Sequence, residues 1–198
     1  MNYGLVWFKR DLRWRDHAAL AQASSNKPVR CIYIIEPELL LGPDYALQHF
    51  EFIRESLLEL DSHLRSRGGC IEIHTGQATD VFKRLWHESP FSELYSHEET
   101  GNGFTYARDL QVASWCQANN VTWREFAQFG VVRGLKNRNL WQREWERHMS
   151  SPIQEIHTLV FWRKPSPEPF AMLAPAHLQH NPPLRQVGGR SLALRTLH

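Results

Sequence analysis

Short apolar runs of strand composition alternate with amphipathic stretches of helical spacing through the first two-thirds of the chain, and few folds accept that alternation. The strictest constraint is the run Val-Arg-Cys-Ile-Tyr-Ile-Ile at Val29–Ile35, almost free of polar residues and stopped abruptly by Glu36-Pro37. A strand with one wet face would alternate polar with apolar residues, whereas a continuous run suits a parallel strand covered on both faces. Residues 3–8 give the same signal, 70–74 and 93–96 are strand-like, and 121–126 alternates as a half-exposed edge strand would. Between these runs, 17–23, 47–67, 77–86 and 105–118 have helical spacing. The clearest is 47–67, where Leu47, Phe50, Ile53, Leu57, Leu60 and Leu64 form one stripe and Gly68-Gly69 ends it. In the last, Tyr106, Leu110 and Ala113 mark the apolar side. Five strands and four intervening helices predict an α/β domain, residues 1–130. Its five-stranded parallel sheet is doubly wound, of order 3-2-1-4-5, with right-handed crossovers.

Beyond residue 130 the character changes. Trp141, Trp145 and Met149 recur at four-residue spacing behind Asn139, so 131–150 is expected to carry one more amphipathic helix. Seven of the eleven prolines (152, 165, 167, 169, 175, 182 and 183) then fall in 151–190, which reads as a linker without regular structure. Residues 191–198, after Gly188-Gly189, look like the start of a helix.

With 198 residues, 42 % of them hydrophobic and 22 % charged, the chain has no apolar run near the roughly 20 residues a membrane span needs. It opens without a secretory signal, so a cytosolic protein that does not enter membranes is expected. Cys31, Cys70 and Cys116 are too far apart in sequence for a disulfide framework or a zinc cluster and read as reduced core residues. A net charge of +2 is too small to argue for nucleic acid by itself.

In a doubly wound sheet, ligands bind beyond the carboxyl ends of the strands where the strand order reverses, between strands one and four. The loops there, 9–16 and 97–103, are both unusually polar. They can line a site, or Lys9, Arg10, Arg13 and Arg15 can pair with Asp11 and Asp16 as a solvated loop. Neither the Gly-x-Gly-x-x-Gly nor the Gly-x-x-x-x-Gly-Lys phosphate cradle is present, nor a Gly-x-Ser-x-Gly elbow. His97-Glu98-Glu99 lacks the second histidine of a zinc-protease helix, and His49, His63, His74 and His87 have no ligand spacing. No metal and no catalytic residue is expected.

The run Leu5-Val6-Trp7-Phe8-Lys9-Arg10-Asp11-Leu12-Arg13, followed by Asp16-His17-x-Ala19-Leu20, resembles the opening signature of the DNA photolyase and cryptochrome family. Tyr33-Ile34-Ile35-Glu36-Pro37, Phe52-Ile53-x-x-Ser56-Leu57-x-x-Leu60 and Ala107-Arg108-Asp109 support the resemblance, and Gly188-Gly189 resembles the entry into that family's helical domain. Lys9 stands where the family more often has Arg, the 97–103 loop departs from the pattern seen where folate binds, and the run from Gln128 to Leu135 suggests a divergent, bacterial-type branch.

The resemblance implies a light-harvesting α/β domain whose crevice takes an antenna chromophore, a folate, a deazaflavin or a flavin such as FMN. A linker would join it to a helical domain that holds FAD and, in the parent protein, acts on ultraviolet-damaged DNA or senses blue light. Joined to the switch-point geometry, it makes Phe8, Lys9, Arg10, Asp11, Glu98, Glu99 and Thr100 the expected cofactor-binding residues, with Glu36 and Arg54 nearby. On this view the FAD site and the damaged-DNA groove lie outside these residues, and the chain alone is not an enzyme. Its linker aromatics Phe161, Trp162 and Phe170 would be mobile or would pack on a second copy. The competing expectation is a stand-alone nucleotide-binding module with a regulatory role, against which the chain's end inside a helix-like segment argues.

Overall fold

β1 (Gly4–Phe8) lies at the centre of the sheet, and all five of its residues are buried. The computed structural model describes residues 3–43, 45–166, 168, 170–178 and 186–197, which leaves Pro167, Pro169, Pro182, Pro183 and His198 outside the described residues. β1 pairs with β2 (Val29–Ile35) on one side and β4 (Glu93–His97) on the other. β3 (Ile71–Thr75) lies beyond β2 and β5 (Thr122–Phe126) beyond β4, all parallel, so the order is 3-2-1-4-5 as the sequence pattern implies.

Because successive side chains of a strand point to opposite faces, β1 supplies two cores at once. Val6 and Phe8, with Val29, Cys31 and Tyr95, meet Ala19, Leu20 and Ala23 of α1 (Ala18–Ser24) and Leu57, Leu60 and Leu64 of α3 (Leu47–Ser66). Leu5 and Trp7, with Ile32, Ile34 and Leu94, meet Val81, Phe82 and Leu85 of α4 (Ala78–Glu88) and Val112 and Cys116 of α5 (Gly103–Ala118). The long helix ends where Arg67 leaves helical geometry and Gly68 takes φ +89°, a conformation that strains any residue with a Cβ.

Three features differ from expectation. Pro37 does more than end β2: it opens a one-turn helix, α2 (Pro37–Leu40), because its fixed φ and missing N–H suit the first helical position. The second difference is the buried face of α5. Tyr106 and Leu110 are 69 % and 56 % exposed, and the face turned inward carries Thr105, Arg108, Val112 and Cys116. Carboxylates waiting for Arg108 select that face over the apolar spacing of Tyr106, Leu110 and Ala113.

The third is the linker. β3 begins opposite Cys31, so Val29 at the start of β2 has its N–H and C=O open on that side. Val29 N–H donates to Val160 O at 2.9 Å and Trp162 N–H donates to Val29 O at 3.0 Å, which makes Phe161 a one-residue extension of the sheet. The Phe161 ring lies where a Cβ on residue 69 would come within 2.1 Å of it, so only Gly69 leaves it room. Trp162 stacks on Tyr3 at 4.5 Å and carries the guanidinium groups of Arg30 and Arg163 at 4.9 and 3.9 Å. Phe170 joins the core beneath α3. The three aromatics expected to be mobile or to seek a second copy therefore pack on their own sheet. Before this segment, α6 (Trp141–Met149) forms where Trp141, Trp145 and Met149 predict it, and after it α7 (Arg190–Leu197) follows Gly188-Gly189.

Leu57 is fully buried between α3 and the sheet, where truncation to alanine alone costs about 2–5 kcal/mol. Leu57→Asp adds the cost of burying a carboxylate and is expected to abolish the cooperative melting transition, checked by circular dichroism. Gly69→Val should act locally, displacing Phe161 and exposing the 158–166 segment to limited proteolysis while the sheet still melts cooperatively. Unchanged cleavage would mean that Phe161 is not what holds the linker.

Candidate functional site

Asp11, in the loop after β1, has a completely buried carboxylate. Its Oδ1 accepts the Lys9 backbone N–H at 2.7 Å, and its Oδ2 accepts from His97 Nδ1, at the end of β4, at 2.6 Å. His17 caps α1: its Nδ1 accepts the Leu20 N–H at 3.0 Å, which places the ring proton on Nε2, 2.8 Å from Asp11 Oδ2. Burial works against the Asp11 charge, but the two histidines outweigh it and hold the carboxyl well below the usual carboxylate range. Burial also pushes the His17 imidazole down, against the pull of Asp11, so the neutral ring is favoured. Asp11, His17 and His97 bring three ligand atoms within 4.8 Å of one another. Tetrahedral ligands about 2.1 Å from one ion would stand about 3.4 Å apart, whereas these contacts have hydrogen-bond lengths and His17 Nδ1 is engaged by the helix, so the cluster is a structural pin.

Above it lies a second buried node. Arg108 of α5 donates from Nη1 to Glu36 Oε2 at 2.7 Å and from Nη2 to Glu99 Oε2 at 2.5 Å and Asp109 Oδ1 at 2.9 Å, and its guanidinium lies 4.8 Å from the centre of the Trp7 ring. Glu36 is the last residue before α2 and Glu99 belongs to the loop after β4, so one guanidinium joins the ends of three elements. Burial opposes the Arg108 charge, but these carboxylates hold it protonated. Burial pushes the Glu36 carboxyl up, with Arg108 opposing. Lys9 Nζ lies 3.6 Å from Asp109 and 3.9 Å from Glu125, between the faces of Trp7 and Trp123. Its burial lowers the ammonium pKa against the pull of Asp109.

The second node floors a cavity of about 880 Å³ at the carboxyl ends of β1, β2 and β4. Of the residues expected there, Phe8, Lys9, Arg10, Glu36, Glu99 and Thr100 line it. Asp11, Glu98 and Arg54 do not. Asp11 is engaged in the pin below, the Glu98 N–H continues the sheet by donating to Phe126 O, and Arg54 is turned to Glu51 one helical turn away. Arg10 reaches Glu99 at 3.0 Å. The two alternatives for the 9–16 loop thus share it: its first half faces the cavity, while exposed Arg15 pairs with Glu155 and Asp16, at φ +53°, accepts from Gln154 of the linker.

Sequence reasoning missed the walls, which are Tyr33, Leu39, Tyr45, Phe52, Ile53 and Arg108, with Arg13 and Arg190 at the rim. Arg108 lay in a quoted motif and Phe52 was an aromatic off the buried stripe of α3, the two signals that pointed here. Arg108, Arg10 and Lys9 are held by carboxylates at the cavity floor, and this fixed arrangement suits holding a ligand. Cys31 and Cys116 are buried, and burial raises both thiols, so neither is a reactive thiolate at neutral pH.

Residues 4–133 match the family model described as DNA photolyase. The chain belongs to the DNA photolyase family. Over 107 residues, 54 % of the chain, it is 37 % identical to Cryptochrome-2 of Gallus gallus and 31 % identical to Cryptochrome-1 of Sylvia borin, covering 18 % and 17 % of those proteins. It therefore spans less than a fifth of the curated relatives it matches. A cryptochrome from Synechocystis sp. PCC6803 superposes over the whole chain with a TM-score of 0.74 at 18 % identity, the chain covering 45 % of that structure. An archaeal photolyase from Sulfolobus tokodaii superposes over 84 % of the chain with a TM-score of 0.65 at 23 % identity, 39 % of that structure being covered. At these identities the likeness is one of fold. No helix among the described residues is long and apolar enough to cross a membrane.

The pin makes stability depend on pH in a stated direction. The folded-state pKa of His17 is lowered, so as pH falls through about 6.5 the unfolded chain takes up its proton first and stability declines. Asp11 is depressed, so its contribution is present above the ordinary carboxylate pKa near 4 and is lost as pH falls below that. In urea titrations His17→Asn, which keeps a capping oxygen, is expected to flatten the decline between about pH 6.5 and 5 and to shrink the lower limb as well, because Asp11 loses one of the two histidines that hold its carboxyl down. An unaltered upper limb would assign it to another histidine.

Proposed function

We propose that the cavity holds a planar light-absorbing cofactor and that the chain is the light-harvesting part of a photolyase or cryptochrome. The observation that carries this reading is the cavity itself, at the topological switch point of the sheet and large enough for a chromophore. Apolar and aromatic side chains (Phe8, Tyr33, Tyr45 and Phe52) form its walls, and Arg108, Glu36 and Glu99 supply fixed polar groups at its floor. Such a site fits a flat heterocycle with hydrogen-bonding edges. When bound, the group would absorb light and pass the excitation on; the residues of this chain would fix its place and orientation and exclude water from it. Folate, deazaflavin and FMN are the candidates. The Sulfolobus tokodaii structure is described as holding two FAD molecules with a novel light-harvesting cofactor implied, and that description supports a flavin here.

The parent activity belongs to the same proposal. The α/β domain would cover residues 1–130, with the 131–150 helix, a 151–190 linker, and 191–198 opening a helical domain. That further domain would bind FAD and, with damaged DNA, split pyrimidine dimers under light, or serve a blue-light receptor. The portion described here would supply the antenna and none of the bond-breaking groups.

The three chromophores, each titrated to saturation against thermal unfolding, test this. One present at about 100 times its dissociation constant contributes about 2.7 kcal/mol, which for a chain of this size raises the melting temperature by about 5–10 °C. Leu39→Trp, which narrows the cavity from the rim helix, is expected to remove the shift while leaving the melting temperature without ligand within about 2 °C. A melting curve unmoved by all three would sink the antenna reading.

A further inference from the structure

We propose that the ligand of this crevice carries an anionic group, a phosphate or a carboxylate, and that Arg13 and Arg190 grip it at the rim. The proposal rests on the crevice being a ligand site and adds the chemical class of what it takes.

Charge is unevenly balanced around the cavity, where five lysine and arginine side chains meet only two carboxylates. Three of the cations have partners: Arg108 has Glu36 and Glu99, Arg10 has Glu99, and Lys9 lies near Asp109 and Glu125. Arg13 and Arg190 are different. Arg13 uses Nε on the Asp16 carbonyl at 3.1 Å, and the Arg190 guanidinium rests 5.7 Å from the centre of the Trp14 ring, next in sequence to Arg13. No ion pair to either is found among the described residues, although both are half-buried and line the cavity. Two guanidinium groups that line one cavity without an ion pair among the described residues suit a planar or tetrahedral oxyanion.

Arg190 is delivered there by a close approach of backbones. A Cβ on Gly188 would come within 2.1 Å of Phe52 O, and Gly189 has φ +113°, so the pair of glycines lets the chain settle on α3 beside the cavity wall. The donors that open α7 are already spent: Gly188 N–H on Glu55, Gly189 N–H on Ser56 Oγ, and Ser191 N–H on Glu59. The carboxylates of Glu55 and Glu59 already stand at this helix end, which disfavours an anion on its backbone and leaves recognition to the side chains.

The anion can be the phosphate of a flavin mononucleotide or the carboxylates of a folate tail, and paired probes separate the two. The full chain is titrated, by fluorescence, with FMN against riboflavin and with folic acid against pterin. In at least one pair the anionic member is expected to bind about tenfold more tightly or better, with the advantage shrinking as salt is raised. Arg190→Met, and Arg13→Met with it, should close that gap while leaving riboflavin or pterin binding unchanged, and Arg190→Lys should keep part of it. Arg190 lies outside the sheet core, so the single variant retains the test if the double variant melts early. Equal binding within both pairs, or a gap that survives Arg190→Met, overturns the anion proposal and leaves the crevice reading standing. Binding of none of the four overturns the anion proposal, and the crevice reading falls with it only if deazaflavin also leaves the melting curve unmoved.

Discussion

A single buried carboxylate sets the geometry around which this site is built. Burying Asp11 costs several kcal/mol unless its oxygens are engaged: the N–H of Lys9 and the ring of His97 hydrogen-bond to them, and the His17 ring lies in close polar contact. Those partners come from the loop after β1, the end of β4 and the first turn of α1. β1 and β4 are the strands between which the sheet reverses its order, so the pin fixes the spacing of the two loops at the place where a doubly wound sheet opens. Arg108 repeats the device one layer higher, adding the end of β2 through Glu36. With both nodes in place, Phe8 and Arg10 are held out toward the cavity instead of collapsing into it.

The sheet was legible because parallel strands buried on both faces leave runs that nothing else explains, and Val29–Ile35 is such a run. The orientation of α5 was not, since the rule that apolar spacing marks the inward face fails when the buried face is organised by a charge. Arg108 has more to gain from Glu36, Glu99 and Asp109 than Tyr106 and Leu110 have from burial. The site shows the same division. Topology alone led to the loops after β1 and β4, but adjacency in sequence misled at Glu98, whose backbone continues the sheet while Glu99 turns into the cavity. Arg54 misled because a partner one turn away on its own helix already satisfied it. The walls were the least legible part: Arg190 is far along the chain from the strands it faces, and only an exposed aromatic such as Phe52 on a well-patterned helix hints that something else packs there.

The linker owes its order to backbone groups more than to its prolines. Val29 would leave an N–H and a carbonyl unpaired at the corner of the sheet, and the segment around Phe161 satisfies both. Its aromatic residues then find surfaces already prepared for them: the space at Gly69, the face of Tyr3, and the paired guanidinium groups of Arg30 and Arg163. A chain that makes this crossing reaches α3 from its far end and lays Gly188 and Gly189 against Phe52 and Ser56. The rim of the cavity is therefore completed by residues that the α/β domain itself does not contain, and its shape depends on how the following segment docks.

A site that breaks bonds needs a group free to change its protonation or charge during the reaction. Around this cavity most charged groups are committed to fixed partners. Arg108 spans Glu36, Glu99 and Asp109, Arg10 takes the other oxygen of Glu99, and Lys9 is confined between two indoles and two carboxylates. Such commitment suppresses chemistry and favours rigidity, because moving any one member strands a buried charge. Transfer of excitation, the proposed role, would benefit from that rigidity, because its efficiency depends on the angle between two transition dipoles as well as on their distance, and a chromophore that turns in its pocket loses the angle. On the proposed reading, the network that holds these charges in place would also hold a flat ring, and Arg13 and Arg190 are where such a ring would carry its charge.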